Sequence, residues 1–272
     1  MNSTIRANLF RLRRLLPLLG IALALPGHAM ATPVALEHYV GNAFDMSGHL
    51  LYTESHWIRG DPGARELLVL FRCPDGRPFA RKQVREAGHE QAPSFVLEDA
   101  RSGYREGVRE DGPGQREVFV RAGADERERS APVAGLPGLV VDAGFDSFLR
   151  KHWTSLAAGQ PQRFEFLLPS RLQAYPFSLS QSGEDLIDGT PVRRFRLQLD
   201  AWYAFAVPAI SLAYERDTKR IREYTGVSNI RNAAGKSLKV RIEFPPGARA
   251  VLPDARRLDA LETAELDGSC AL

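Results

Sequence analysis

Alternation with period two, broken at short intervals by turn residues, limits what this chain can fold into more than any other feature. Arg163 to Leu168 sets Phe164, Phe166 and Leu168 on one side of an extended strand. Val192 to Leu199 repeats the pattern, with Phe195, Leu197 and Leu199 facing in and Arg194, Arg196 and Gln198 facing out. Such strands bury one face and wet the other. Glu66 to Cys73 is a near-continuous apolar run followed by Pro74-Asp75-Gly76, where proline presets φ and glycine accepts a positive one. Phe79 to Val84 returns as its partner. Phe177 to Gln181 and Val192 to Leu199 flank the turn at Ile187-Asp188-Gly189, and later hairpins turn at Asp217-Thr218-Lys219 and Asn232-Ala233-Ala234-Gly235. The expected fold is mainly β: one strongly curved antiparallel sheet, a half-barrel or open barrel.

One segment departs from this period. Asp142 to Gly159 carries Phe145, Phe148, Leu149, Trp153 and Leu156 at helical spacing, with Arg150, Lys151 and Ser155 off the stripe. Asp142 is the expected N-cap, Asp146 suits the positive end of the helix dipole, and Gly159 with Pro161 ends the helix. A single amphipathic helix near 143–158 is therefore expected to bury its aromatic stripe on the concave face of the sheet. Polar, glycine-containing stretches at Glu86 to Pro93, Ser102 to Gln115 and Ala122 to Gly138 read as long loops or short exposed hairpins. Residues 248–272 read as a polar tail with a short helix near Asp254 to Leu266.

The N-terminus has the layout of a secretory signal. Arg6, Arg11, Arg13 and Arg14 precede the apolar run Leu15 to Leu25, which Pro26 and Gly27 close, and Ala29-Met30-Ala31 places small residues at a cleavage site. The run is too short to span a bilayer. Cleavage after Ala31 predicts a periplasmic protein, with release further out as the alternative, and one curved-sheet domain over 32–247. The whole chain has 36 basic and 33 acidic residues, a formal +3. Removing the four leader arginines leaves 32 against 33, a formal −1. That balance lacks the basic footprint of a nucleic-acid binder. Beyond the leader no apolar run reaches membrane-spanning length.

Cys73 and Cys270 are the only cysteines. In an oxidising compartment they either pair, closing a loop of about 200 residues for about 5 kcal/mol in the chain-entropy model, or stay independent thiols. Neither lies in a CxxC or beside a histidine, so thiol chemistry is not indicated.

Catalytic patterns are sparse. In Leu50 to Ile58, strand geometry puts Tyr52, Glu54, His56 and Ile58 on one face and Leu51, Thr53, Ser55 and Trp57 on the other. Ser55 therefore points away from His56, which removes a local Ser–His relay. Glu54 and His56 share a face with Cα atoms about 6–7 Å apart. A strand with one wet face accounts for the pattern, and an acid–base pair of a hydrolase is the alternative. His38, His49, His56, His89 and His152 have no metal-ligand spacing, and no GxSxG elbow, phosphate loop or dinucleotide fingerprint is present. No metal and no cofactor is expected.

The apolar signal is stronger. Ala201 to Tyr214 runs fourteen residues without a charge. Trp202, Tyr203, Phe205 and Val207 lead to Pro208, after which Ile210, Leu212 and Tyr214 alternate with Ala209, Ser211 and Ala213. Large side chains on one face and small ones on the other fit a core strand, or a lip for a lipid or partner.

Three segments, VVDAGFDSFLRKHW (140–153), RFEFLLPSRLQAYPF (163–177) and YTGVSNIRNAAGKSLKVRIEFP (224–245), resemble those of uncharacterised exported proteins of proteobacteria. More remotely, an exported mostly-β chain with one helix against a curved sheet is similar in architecture to periplasmic lipoprotein carriers of the Lol type. That resemblance implies an incomplete barrel that shields an acyl chain and brings no residue roles. The expected function is a non-enzymatic periplasmic protein that carries or senses an apolar or lipid-like ligand, with Phe148, Trp153, Trp202, Phe205 and Ile210 lining or gating the cavity. A cell-envelope interaction or assembly factor is the alternative, with an envelope protein as its partner.

Overall fold

Each alternating stretch is a strand in the structure, a computed structural model that describes residues 36–112, 114–133, 135–202, 204–253 and 256–272. The expected leader and its cleavage point lie outside the described residues. The first half of the chain forms β1 (Leu36–Phe44), β2 (Leu50–Arg59), β3 (Glu66–Arg72), β4 (Pro78–Arg85) and β5 (Ser94–Asp99). It continues through β6 (Tyr104–Glu110), β7 (Arg116–Arg121), β8 (Arg129–Pro132) and β9 (Leu139–Val141). Helices α1 (Phe145–Lys151) and α2 (Trp153–Ala157) follow. The second half is β10 (Gln162–Leu168), β11 (Gln173–Ile187), β12 (Thr190–Leu199), β13 (Ile210–Glu215), β14 (Ile221–Arg231), β15 (Ser237–Glu243), β16 (Ala250–Leu252) and α3 (Arg257–Glu262).

These strands make one 16-stranded sheet in the order β8-β7-β6-β5-β4-β3-β2-β1-β15-β14-β13-β12-β11-β10-β9, with β16 also on β1. Two meanders are thus joined where β1 pairs with β15 through Asn42 to Phe44 and with β16 through Leu36 to His38. All pairings are antiparallel except β9 with β10. A sheet this wide curls on its own twist, and register shifts between Gln181 and Gly183, Ala213 and Tyr214, and Val227 and Arg231 add local bends.

The inward face can be followed across the ladder. Leu97 pairs with Glu106 and Lys82, Phe71 with Ala80 and Glu54, and Ile242 with Ala43 and Tyr224. Tyr224 in turn opposes Leu212, and Leu212 opposes Phe195. On β10 to β14 this face carries Phe164, Phe177, Phe195, Leu197 and Leu212, and the helical stripe Phe145, Phe148, Leu149, Trp153 and Leu156 packs into it. The stripe lies on the concave face, as the spacing predicts. Trp153 meets Phe195 and Tyr214 edge-on at 5.4 and 6.5 Å.

At the other end the sheet overlaps itself. Val141 of β9 and Leu167 of β10 point away from the helix, and they pack against Val84, Phe95, Val108 and Val118 on the inward face of β4 to β7. The sheet is therefore a roll whose β9–β10 margin tucks inside its β4–β8 margin. Backbone contact at this seam includes the Val141 amide donating to Gln91 O at 3.0 Å. Gly144 belongs there because a Cβ would stand 2.1 Å from that same carbonyl oxygen. Asp142 makes no cap bond. Instead its carboxylate pairs with Lys82 from β4 and accepts a 3.1 Å hydrogen bond from Asn229, so it ties the seam rather than the helix.

The near-continuous run in β3 has a simple cause. Val69 and Phe71 enter the interior core, whereas Leu68 and Leu70 join Leu36, Trp57 and Leu258 on the outer face. Strands buried on both faces lose alternation. The outer cover comes from α3, held by Asp259 on Arg59 at 2.8 Å and by Arg81 donating to Ala264 O at 3.0 Å. Cys270 then pairs with Cys73 across 5.6 Å between Cα atoms, which fastens residues 256–272 to the sheet. Ser102 to Gln115 contains the full strand β6, and Ala122 to Gly138 contains β8.

Candidate functional site

The uncharged run after β12 folds into a short outward loop. The Asp200 amide extends the ladder by donating to Pro176 O at 2.8 Å, and its carboxylate pairs with Arg163 at 2.9 Å. The Ala204 amide then donates to Ala201 O at 2.9 Å, starting a 3-10 turn over Ala204–Ala206. Val207 N closes onto Ala204 O at 3.1 Å. Ala201, Ala204 and Ile210 pack against the helix–sheet core, and small side chains at the first two let the loop lie close. Trp202 and Phe205 point outward. Trp202 and Phe205 are each 87% exposed and Val207 42% exposed.

The five residues expected to line a cavity therefore separate into two groups. Phe148 and Trp153 are 3% and 7% exposed and fill the core beneath the helix. Phe148 packs against Phe164 with centroids 4.3 Å apart and the rings tilted by 46°, and Arg193 lies over the Trp153 ring at 5.2 Å. Trp202 and Phe205 form the lip, and half-buried Ile210 stands between lip and core. Two depressions on the described surface, of about 390 and 680 Å³, are open, more polar than apolar, and touch none of the five.

A second constellation lies on the inward face of β1 and β2. Register places Tyr39 opposite His56 and Gly41 opposite Glu54. His56 Nε2 and Glu54 Oε2 are 3.1 Å apart, so strand geometry brings this pair together as expected. The imidazole stacks on Tyr39 at 4.5 Å with an interplanar angle of 7°, meets Phe244 edge-on, and Arg249 covers the other side of Tyr39 at 4.2 Å. Burial pushes the Tyr39 hydroxyl far above its usual range, and Asp146 adds to this. Tyr214 is raised by burial and by Asp146, which Arg150 holds at 2.6 Å. Ser55 is buried on the opposite face, so the serine nearest in sequence does not stand beside the pair.

Further along the same face, Tyr104 donates to Glu106 at 2.5 Å and Arg231 donates to the Tyr104 hydroxyl at 3.0 Å. Residue-by-residue reasoning missed this interior polar row. Tyr104 and Glu106 are two residues apart on β6, just as Glu54 and His56 are on β2, but their stretch reads as a loop with no faces to share, and Arg231 joins them from a distant strand. Among the described residues no group of histidine, cysteine and carboxylate side chains is arranged to hold a metal ion, and no helix is long and apolar enough to cross a membrane.

Fold and surface together define a mainly β protein: one rolled open sheet around an internal helix, with an aromatic lip on its rim. No family model matches the chain, and no curated protein matches it. Among solved structures it is similar to a β-barrel-like protein of a domain of unknown function, DUF1849, from Brucella abortus. That match covers 80% of this chain and 98% of the other at 10% identity and a TM-score of 0.45. A DUF1329 family protein from Desulfovibrio piger is covered to 83%, over 82% of this chain, at 13% identity and a TM-score of 0.26. Neither description states an activity.

Proposed function

We propose that this is a non-enzymatic binding protein of the bacterial periplasm that engages an apolar or lipid-like ligand at the rim of the roll. The observation that carries the reading is the lip, where two aromatic side chains stand 87% exposed on an uncharged segment anchored in the core by Ala201, Ala204 and Ile210. Exposed aromatics cost solubility and are retained where they meet another apolar surface. Trp202, Phe205 and Ile210 are the contact residues of this proposal, and Phe148 and Trp153 are the packing beneath them. The resemblance to lipoprotein carriers points the same way at the level of architecture.

Mass spectrometry of organic extracts from natively purified protein is the test. Wild type is expected to yield a co-purified apolar molecule, and a variant carrying Trp202→Ala and Phe205→Ala to yield at least tenfold less. A wild-type extract free of apolar molecules, together with no uptake of a fluorescent fatty acid, would sink the reading.

A further inference from the structure

A half-buried cation without a counterion stands at the mouth of the seam. Among the described residues, Arg105, Arg116, Arg222 and Arg231 each have an Nε that is sealed from solvent and lacks a hydrogen-bond partner. Arg105 and Arg222 face carboxylates, Glu128 for the first and Glu215 and Asp188 for the second. Arg231 donates from both remaining nitrogens, to Gly235 O at 2.9 Å and to the Tyr104 hydroxyl at 3.0 Å. Arg116 on β7 donates only from Nη2, to Ala92 O, so its Nη1 has no hydrogen-bond partner among the described residues. Its cross-strand neighbour Glu110 is exposed and makes no ion pair with it. Burial lowers the pKa of this guanidinium below the ordinary arginine value, and the charge of Glu110 offsets only part of that. A desolvated charge in this position is stabilised by any anion that can reach it.

Access exists, because Arg116 lies in the wall of the larger depression, about 680 Å³ in volume. Gly88 to Ala92 and Gly114 come to that wall from the β4–β8 margin, whereas Leu139 comes from β9 and Lys151 from the last turn of α1. The depression therefore spans the seam. Lys151 is exposed and in no ion pair among the described residues. Glu90 is the one carboxylate on the lining, and its Oε1 lies toward Gly63 of the β2–β3 connection, 3.4 Å from where a Cβ would stand there. Val133 and Leu139 pack on the aliphatic core of the seam, and Leu136 is exposed beside them. We infer that this depression binds a phosphate monoester, with Arg116 of one margin and Lys151 of the other holding the dianion between them. Two cations match a group that carries about −1.5 to −2 at neutral pH, and a monocarboxylate would leave one of them uncompensated. The planar guanidinium offers directed donors to phosphate oxygens, and the lysine adds a point charge. Lipid headgroups and polar metabolites both present this group, and the aliphatic side chains on the lining favour one with an apolar tail. The site shares no residue with the lip, and the inference does not depend on what the lip binds.

Calorimetric titration of the natively purified protein with hexyl phosphate, glycerol 3-phosphate and hexanoate tests it. Both esters are expected to bind, hexyl phosphate the more tightly, and hexanoate about tenfold or more weaker than hexyl phosphate. Lys151→Ala, at an exposed position, should lower the affinity for hexyl phosphate about tenfold. Arg116→Gln, which keeps a hydrogen-bonding head without the charge, should lower it by about tenfold or more as well. Circular dichroism and thermal melts without ligand verify that both variants fold. Saturating hexyl phosphate should also slow hydrogen exchange at the Val141 amide about tenfold or more, because parting the margins takes the site apart. A preference for hexyl phosphate marks a lipid-type source and a preference for glycerol 3-phosphate a polar metabolite; either supports the phosphate site. No binding of either ester up to about 10 mM, hexanoate binding as tightly as hexyl phosphate, full binding by either folded variant, or unchanged Val141 exchange at saturation overturns the inference. The organic extraction that tests the lip is a separate measurement, so either reading can fail while the other stands.

Discussion

Glu106 stands on the inward face of β6, its carboxylate accepting from Tyr104 while Arg231 supports that hydroxyl from the far side of the roll. Burial raises its pKa above the usual carboxylate range, against the lowering effect of the Tyr104 hydrogen bond. A raised folded pKa means the native state holds the proton more tightly than the unfolded chain does. The stabilisation is complete below the ordinary carboxylate pKa and is lost as pH rises through the raised folded value. Glu106→Gln keeps an acceptor for Tyr104 without the buried charge. It is expected to be more stable than wild type at pH 8, with a flatter dependence between pH 4 and 8, when urea midpoints are followed at both ends of that window (about 1–3 kcal/mol at the upper end). In the sequence Glu106 reads as one charge in a polar stretch, because that stretch lacks the apolar alternation that marks a strand and so assigns it no face. Glu54 and His56 were legible, since two residues on one strand need only the period of that strand to share a face.

The internal helix and the lip together show what an element's pattern does and does not disclose. Periodicity near 3.6 identified the aromatic stripe and its burial, yet the same stripe suits a packed core and a ligand-lined cavity equally well. Packing decides between them, and it puts Phe148 and Trp153 against Phe164, Phe195 and Tyr214. Trp153→Ala should therefore cost about 3–5 kcal/mol of unfolding free energy. Trp202→Ala should stay within about 0.5 kcal/mol of wild type in the same denaturant titration. A reversed order would show that the helix packs loosely and the lip is structural. Strand β6 escaped detection for a related reason: its inward positions are Tyr104, Glu106 and Val108, so the apolar alternation is broken by a carboxylate. The β3 run, in contrast, was recognisable as a strand but concealed the outer cover, because α3 supplies only Leu258 as a fully buried side chain.

At the scale of the molecule, the curved open antiparallel sheet follows from many short alternating strands with tight turns, and that much was legible. The overlap at the seam was not, since it is set by contacts between β9–β10 and β4–β7 that no local pattern encodes. Neither was the pairing of Cys73 with Cys270, which depends on two distant backbones coming within disulfide reach. Gly144→Ala addresses the seam directly. A methyl group 2.1 Å from Gln91 O is incompatible with the observed approach, so the margins must shift apart. The expected result is a loss of about 2 kcal/mol or more and faster hydrogen exchange at the Val141 amide, whose bond to Gln91 spans the seam. Unchanged exchange at Val141 would mean that the margins do not depend on this contact.

That seam has a mechanical consequence. In a closed barrel, girth is fixed by strand number and shear, and widening it means breaking a ladder. Here the two margins meet through side chains, Val141 and Leu167 against Val84, Phe95, Val108 and Val118, with the Lys82–Asp142 ion pair and a few polar bonds as the clasp. Parting them would break that clasp and this packing but no ladder between neighbouring strands, as opening a spring clip breaks no part of the clip.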